Sequence, residues 1–196
     1  VSKSKPDLVL ASTSSHRRAL LERFGLPFRC RAPCCDEVAL QGVDPDPSEL
    51  AERLAYAKAA SVFALEPDSV VIGCDQVISL GGRILSKPGT PARAIDQLAE
   101  MAGRTHQVIT ALVVLAKGRV VRVTSTSTLR MRRLSREAIK RYVDADQPLD
   151  CAGSYKIESR GIVLFNRINT DDHTAITGLP TIALVTILRE LGFEMP

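Results

Sequence analysis

Leu8 to Leu21 reads "LVLASTSSHRRALL". An apolar run stops at Ser12, Thr13, Ser14 and Ser15, then Arg17 and Arg18 follow and a helical apolar pattern begins. Strand, short polar turn and helix in immediate succession are the signature of an α/β protein. The two guanidinium groups stand just inside the helix start, where the macrodipole disfavours cations. A negatively charged ligand would account for them. Free backbone N–H groups at such a turn, serine hydroxyls and the forked donors of arginine together suit phosphate oxygens. The P-loop pattern G-x-x-x-x-G-K-[ST] is absent. Taken alone, the same residues also fit a plain serine N-cap followed by solvated arginines.

Outward from this stretch, strands and helices continue to alternate. The first helix is expected to reach Phe24, with a second strand at Phe28–Ala32. Asp46-Pro47-Ser48-Glu49 combines an Asp cap, Pro at the first helical position and Glu three residues on, and predicts a helix to about Leu65. "SVVIG" reads as a short buried strand, and "VISL-GG-RIL" as a hairpin turning at Gly81-Gly82. Thr90-Pro91 opens a helix ending at Gly103, two long strands flank Lys117-Gly118, and Ser135 caps a helix to about Val143. "GIVLFNRI" reads as a strand, and a last helix lies between Pro180 and Gly192.

The 196 residues suffice for one substantial domain or two small lobes. Hydrophobic residues make up 45% and charged residues 24%, with a net charge of +4. That mild basicity is compatible with nucleic acid and equally with a small phosphorylated substrate, but no block of like charges or basic-aromatic stretch marks a nucleic-acid binder. No apolar run reaches membrane-spanning length and the first residues lack a signal-peptide core. Five cysteines, an odd number without zinc spacing, read as reduced thiols of a cytoplasmic protein.

Four further places could carry chemistry. Lys58 falls in the apolar stripe formed by Ala51, Leu54, Val62 and Leu65, where it must snorkel or meet an anion, and where Met is expected to fit at least as well. Glu37, in the "CCDEV" loop, and Lys87, in "SKPGT", are loop charges. Asp75 follows "SVVIGC" at the expected carboxyl end of a buried strand, the edge where α/β sheets bind ligands. It could hold a divalent cation, act as a general base, or simply cap a turn. "DCAGSYKIESRG", Asp150–Gly161, could close over a ligand or be an ordinary loop.

In order along the chain, "LASTSSHRRALL", "CDE", "RLAYAKA", "VIGCDQV", "LSKPGT", "GRTHQVITAL", "CAGSYKIESRG" and "ITGLP" resemble the successive blocks of the Maf-type nucleoside triphosphate pyrophosphatases. The resemblance implies a Maf/inosine triphosphatase-like α/β fold: a mixed, strongly twisted sheet with flanking helices and two lobes around a central cleft, one domain over residues 1–196. It implies hydrolysis of a nucleoside triphosphate to the monophosphate and pyrophosphate with magnesium or manganese. Asp75, Lys58 and Lys87 would be catalytic, Asp75 as the base. Ser12, Ser14 and Arg17 would grip the triphosphate, and Glu37 and Asp75 would hold the metal. Gln76 and Glu158 resemble the branch acting on 7-methyl-GTP. They would join His16 at the base, since a Glu carboxylate accepts from the guanine N1–H and amine. His16, Ser159 and Thr177 depart from that branch, where an aromatic, a glycine and an aliphatic residue are usual. The alternatives are the dTTP/UTP pyrophosphatases of the sister branch and a non-catalytic regulator of cell division. The partners implied are a small-molecule nucleotide and, as an assembly compatible with the family, a homodimer, without nucleic acid or membrane.

Overall fold

The computed structural model describes residues 6–41 and 46–195. In chain order the elements are β1 (Leu8–Leu10), α1 (Ser15–Glu22), β2 (Arg29–Cys30), α2 (Glu37–Gln41), α3 (Pro47–Phe63), β3 (Val70–Leu80), β4 (Arg83–Leu85), α4 (Pro91–Met101), β5 (Thr105–Ala116), β6 (Arg119–Met131) and α5 (Arg136–Asp146). Two 3-10 turns, Ala152–Ser154 and Arg160–Leu164, precede β7 (Phe165–Asn169), α6 (His173–Thr177) and α7 (Thr181–Glu190). The strands form a seven-stranded sheet in the order β2-β1-β3-β5-β6-β7, with β4 paired to β3. β1 runs parallel to both β2 and β3, whereas β3–β4 and β6–β7 are antiparallel, so the sheet is mixed as expected.

The chain divides into two compact units. The first comprises Val1–Gln76, Thr110–Ser125 and Asp172–Pro196, and the second Val77–Ile109 and Thr126–Asp171. In the first, Leu8, Leu10, Val70, Ile72, Cys74, Leu112 and Val114 turn one sheet face towards Leu184, Ile187 and Leu188 of α7. The period of two along a strand puts Gly73 and Asp75 on the opposite face, against α3. A Cβ at Gly73 would meet Ala55 O at 2.3 Å, Ala59 Cβ at 2.7 Å and Ala59 N at 2.8 Å, so glycine is what lets α3 lie this close to the strand.

Helix starts were the most legible part of the sequence. Asp46 accepts from Ser48 N and Glu49 N, Thr90 from Arg93 N, and Ser135 from Ala138 N. The hairpin turns at Gly81 and Gly82, whose φ of 62° and 88° match the expected two-residue turn. Three expectations are corrected. The short strand and the first hairpin arm are one 11-residue strand, β3, so Asp75 stands mid-strand and not at a carboxyl edge. Leu65 lies beyond the end of α3 and is 61% exposed, so it is not part of the stripe. "GIVL" winds into a 3-10 turn, and the strand begins only at Phe165.

In the second unit His106 is buried against Tyr155 and Phe165, with ring centroids 5.6 Å and 5.7 Å away. Its Nε2 lies 3.0 Å from the Tyr155 hydroxyl, while Nδ1 meets no partner among the described residues. Burial pulls this imidazole down from its ordinary 6.5 to about 4. Between those values the unfolded chain binds a proton that the folded chain refuses. The stability tied to His106 is therefore complete above pH 6.5 and declines as pH falls towards 4. Between pH 7 and 4.5 the native protein should lose about 2 kcal/mol more than His106→Leu. Urea unfolding at the two pH values reads the difference; equal losses would show that His106 is protonated in the fold.

Candidate active site

The opening stretch folds as its sequence suggests. Ser14 is the N-cap of α1 and accepts from Arg17 N at 3.4 Å; Ser12, buried at the end of β1, accepts from Ser14 N at 3.1 Å. Arg17 and Arg18 diverge one residue apart. Arg18 pairs with Glu22 at 2.9 Å on the exposed face, a contact of little energetic weight. Arg17 is half-buried and donates its Nε to the Gly178 carbonyl at 2.9 Å. His16, the second residue of α1, is exposed.

The centre of the first unit is a charged cluster. Lys58 projects from α3 with its side chain 10% exposed, and its Nζ donates to Asp75 Oδ1 at 2.5 Å. Glu37 Oε1 stands 3.1 Å from the same ammonium. Glu37 opens the short helix α2 and does not lie in a loop, a correction to the sequence reading; its side chain is half exposed. Burial works against the Lys58 charge, but attraction and hydrogen bonding from Asp75, aided by Glu37, outweigh it and raise the ammonium above its ordinary value. Arg17 is near enough to oppose that rise. Lys58 does not snorkel: it holds two carboxylates.

That pairing reverses the expectation for a methionine at this position. Lys58→Met would leave the buried Asp75 carboxylate without its ammonium, and removing one partner of a buried pair destabilises strongly. A loss of about 3 kcal/mol is expected, measured by urea unfolding at neutral pH. Unchanged or increased stability would show that the pair contributes nothing to the fold.

The two faces of β3 hold different groups. Asp75 faces α3; the Cys74 thiol donates to the Gly178 carbonyl at 3.0 Å, and Gln76 reaches α6. Gln76 Nε2 lies 3.0 Å from Thr110 Oγ1 and 2.9 Å from both the Ala175 and Ile176 carbonyls. Thr110 gives its own proton to Ala175 O at 2.8 Å, so all three neighbours are acceptors. The amide nitrogen is thereby fixed inward, and Oε1 is the atom Gln76 has to offer a ligand.

Lys87 and Glu158 belong to the second unit, and both are exposed. Lys87 follows β4 in a segment tied down by Gly89 N to Leu149 O at 2.9 Å; backbone hydrogen bonding chiefly holds Asp150 below the ordinary carboxylate range, with a small share from the Lys87 charge. Glu158 lies between the 3-10 turns. Ser159 next to it has φ −116° and ψ −130°, and its hydroxyl donates to Asp146 Oδ1 at 3.1 Å. Thr177 ends α6. The structure thus brings Glu37, Lys58, Asp75 and Arg17 together within one unit, with Gln76 alongside on the other face of the strand. Sequence reasoning passed over the Gly178 carbonyl, Thr110 and Cys74, whose parts depend on contacts between segments far apart in the chain. The signal that was available is the "ITGLP" block containing Gly178.

A hard-oxygen cation fits the donor set. Glu37 and Asp75 already flank a positive charge, and two carboxylates suit magnesium or manganese completed by water and phosphate oxygens. Among the described residues no group of three or more His, Cys, Asp or Glu side chains forms an all-protein cage.

With its mixed α/β sheet and this cation–carboxylate cluster, the chain belongs to the Maf-like protein family, whose model matches residues 7–191. Among its relatives is a protein of Bdellovibrio bacteriovorus named 7-methyl-GTP pyrophosphatase, 48% identical over 93% of this chain and 95% of its own. Proteins of the same name from Xanthomonas axonopodis pv. citri and Pseudomonas aeruginosa are 48% and 44% identical, each over 97% of this chain and 100% of their own. The solved structure of a HAM1 protein from Coxiella burnetii matches with a TM-score of 0.53 over 94% of this chain and 99% of that one. At 14% identity this is a likeness of fold.

Proposed function

We propose that this chain hydrolyses a nucleoside triphosphate, 7-methyl-GTP, to the nucleoside monophosphate and pyrophosphate. The observation that carries the reading is the Lys58 ammonium held between the Asp75 and Glu37 carboxylates with Arg17 close by. The names of relatives that align over nearly all of the chain support the same activity. In this reading Arg17, with Ser12 and Ser14 in the turn, binds triphosphate oxygens, and Lys58 and Lys87 neutralise phosphate charge. Asp75 orients the attacking water and takes its proton as the water oxygen bonds to the α-phosphorus; pyrophosphate leaves with the bridging oxygen. Glu37 and Asp75 are the residues that would hold a divalent cation, whose chemistry when bound is to polarise phosphoryl oxygens as a Lewis acid. Glu158 accepts from the guanine N1–H and amine, Gln76 adds an acceptor through Oε1, and His16 lies against the base.

Five free thiols suit a reducing cytoplasm, and no helix among the described residues is long and apolar enough to cross a membrane. The test is pyrophosphate release from 7-methyl-GTP, GTP, dTTP and UTP with magnesium or manganese. The highest kcat/KM is expected for 7-methyl-GTP. Preference for dTTP or UTP would overturn the base assignment and leave the chemistry standing. Release from none of the four would overturn both.

A further inference from the structure

We propose that Thr174 is a positioning residue for Arg17, acting through the Gly178 carbonyl; this rests on the reading that Arg17 grips the triphosphate. The α6–α7 segment is fixed by a small network in the first unit. Asp172 Oδ1 accepts from Thr174 N at 2.8 Å and from the Thr174 hydroxyl at 2.5 Å, while its Oδ2 accepts from Ile182 N at 3.0 Å. Because the Thr174 proton goes to a carboxylate, the Thr181 hydroxyl 2.7 Å away is the donor in the Thr181–Thr174 contact. Thr181 N also donates to Thr174 Oγ1, at 3.1 Å. One hydroxyl therefore joins the start of α6 to the start of α7. The Thr174 carbonyl accepts from Gly178 N and Leu179 N, both at 3.2 Å, closing the turn from within.

The other side of α6 is held by Thr110 and Gln76 on the Ala175 and Ile176 carbonyls. With both sides fixed, the Gly178 carbonyl has one direction, and it takes the Arg17 Nε and the Cys74 thiol. A long arginine side chain loses its rotamer freedom on being held this way before any ligand arrives. The Nε bond leaves the Nη1/Nη2 edge of the guanidinium as the fork that reads an anion. Thr174 thus acts on a charge it does not touch.

The experiment compares Thr174→Val, Thr174→Ser, Arg17→Gln and the Thr174→Val/Arg17→Gln double variant. For each, KM and kcat with 7-methyl-GTP and the Kd for inorganic pyrophosphate are measured beside the thermal midpoint. Thr174→Val should raise KM and the pyrophosphate Kd about 10-fold while kcat changes less than about 3-fold, because anchoring geometry is disturbed and the reacting centre is not. Thr174→Ser should restore both constants. In the Arg17→Gln background, Thr174→Val should add less than about 2-fold, as coupled residues do. A lower thermal midpoint with unchanged KM and Kd would make Thr174 structural and overturn the proposal. Full additivity in the double variant would overturn it while leaving the Arg17 reading intact. An Arg17→Gln protein with unchanged KM and Kd would overturn that reading and the proposal together. Should Thr174→Val fail to fold, Thr181→Val removes only one hydroxyl donor and should shift KM and Kd about 3-fold, again only when Arg17 is present. No shift in that variant would equally overturn the proposal.

Discussion

Replacing Asp75 by asparagine is expected to lower kcat by about 100-fold or more while the protein stays folded. The substitution keeps the side-chain shape and an acceptor oxygen, but an amide cannot take the proton of an attacking water. It also removes one of the two negative charges around Lys58. The ammonium is then left with Glu37 at 3.1 Å, so the fold retains a partner for it. This differs from Lys58→Met, which leaves the more buried carboxylate behind. Single-turnover kinetics with saturating nucleotide separates loss of chemistry from loss of binding, and circular dichroism checks the fold. Turnover within about 3-fold of wild type would remove Asp75 from the role of base.

The second large effect concerns the base. Glu158→Gln should weaken 7-methyl-GTP hydrolysis far more than that of dTTP or UTP, moving the ratio of kcat/KM values by about 100-fold. A carboxylate offers only acceptors and so matches the donor edge of guanine, whereas the pyrimidine carbonyls present acceptors of their own. A glutamine contributes one donor and loses the charge that favours a cationic methylated base. Glu158 is exposed and lies outside the helices and strands, and circular dichroism beside the kinetics separates a change of fold from a loss of base recognition. Gln76 is the less informative residue to vary, since its amide secures Thr110 and two α6 carbonyls, and altering it would disturb Gly178 and Arg17 as well. A kcat/KM ratio that stays constant in Glu158→Gln would place base recognition elsewhere, with His16 next to be tested.

Much of the architecture was legible because its signals are local. A cap such as Asp46 or Thr90 satisfies N–H groups within three residues, so its meaning survives without tertiary context. β3 was misread because a polar Asp75-Gln76 pair in a central strand looks like an ending. Only the contacts with Lys58 on one face and α6 on the other make those side chains compatible with burial. The same holds for the 3-10 turn in "GIVL", where apolar composition does not distinguish a strand from a tight helix. Lys58, Asp75 and Arg17 could be nominated from sequence, but the partner of each could not. Lys58 and Asp75 are separated by 17 positions, and Arg17 and Gly178 by 161.

Gly73 sets a constraint of another kind. Its missing side chain matters only because Ala55 and Ala59 stand opposite it. A methyl group added at 73 meets the backbone of α3, which cannot step aside unless the whole helix moves. That helix carries Lys58 to Asp75, so a mutation at 73 is judged by selection twice, once for folding and once for catalysis. No single substitution at 55 or 59 makes room for it, since backbone atoms of both residues are in the way. Position 73 is therefore closed to every side chain whatever residues stand at 55 and 59, because the obstacle is main chain that every amino acid carries.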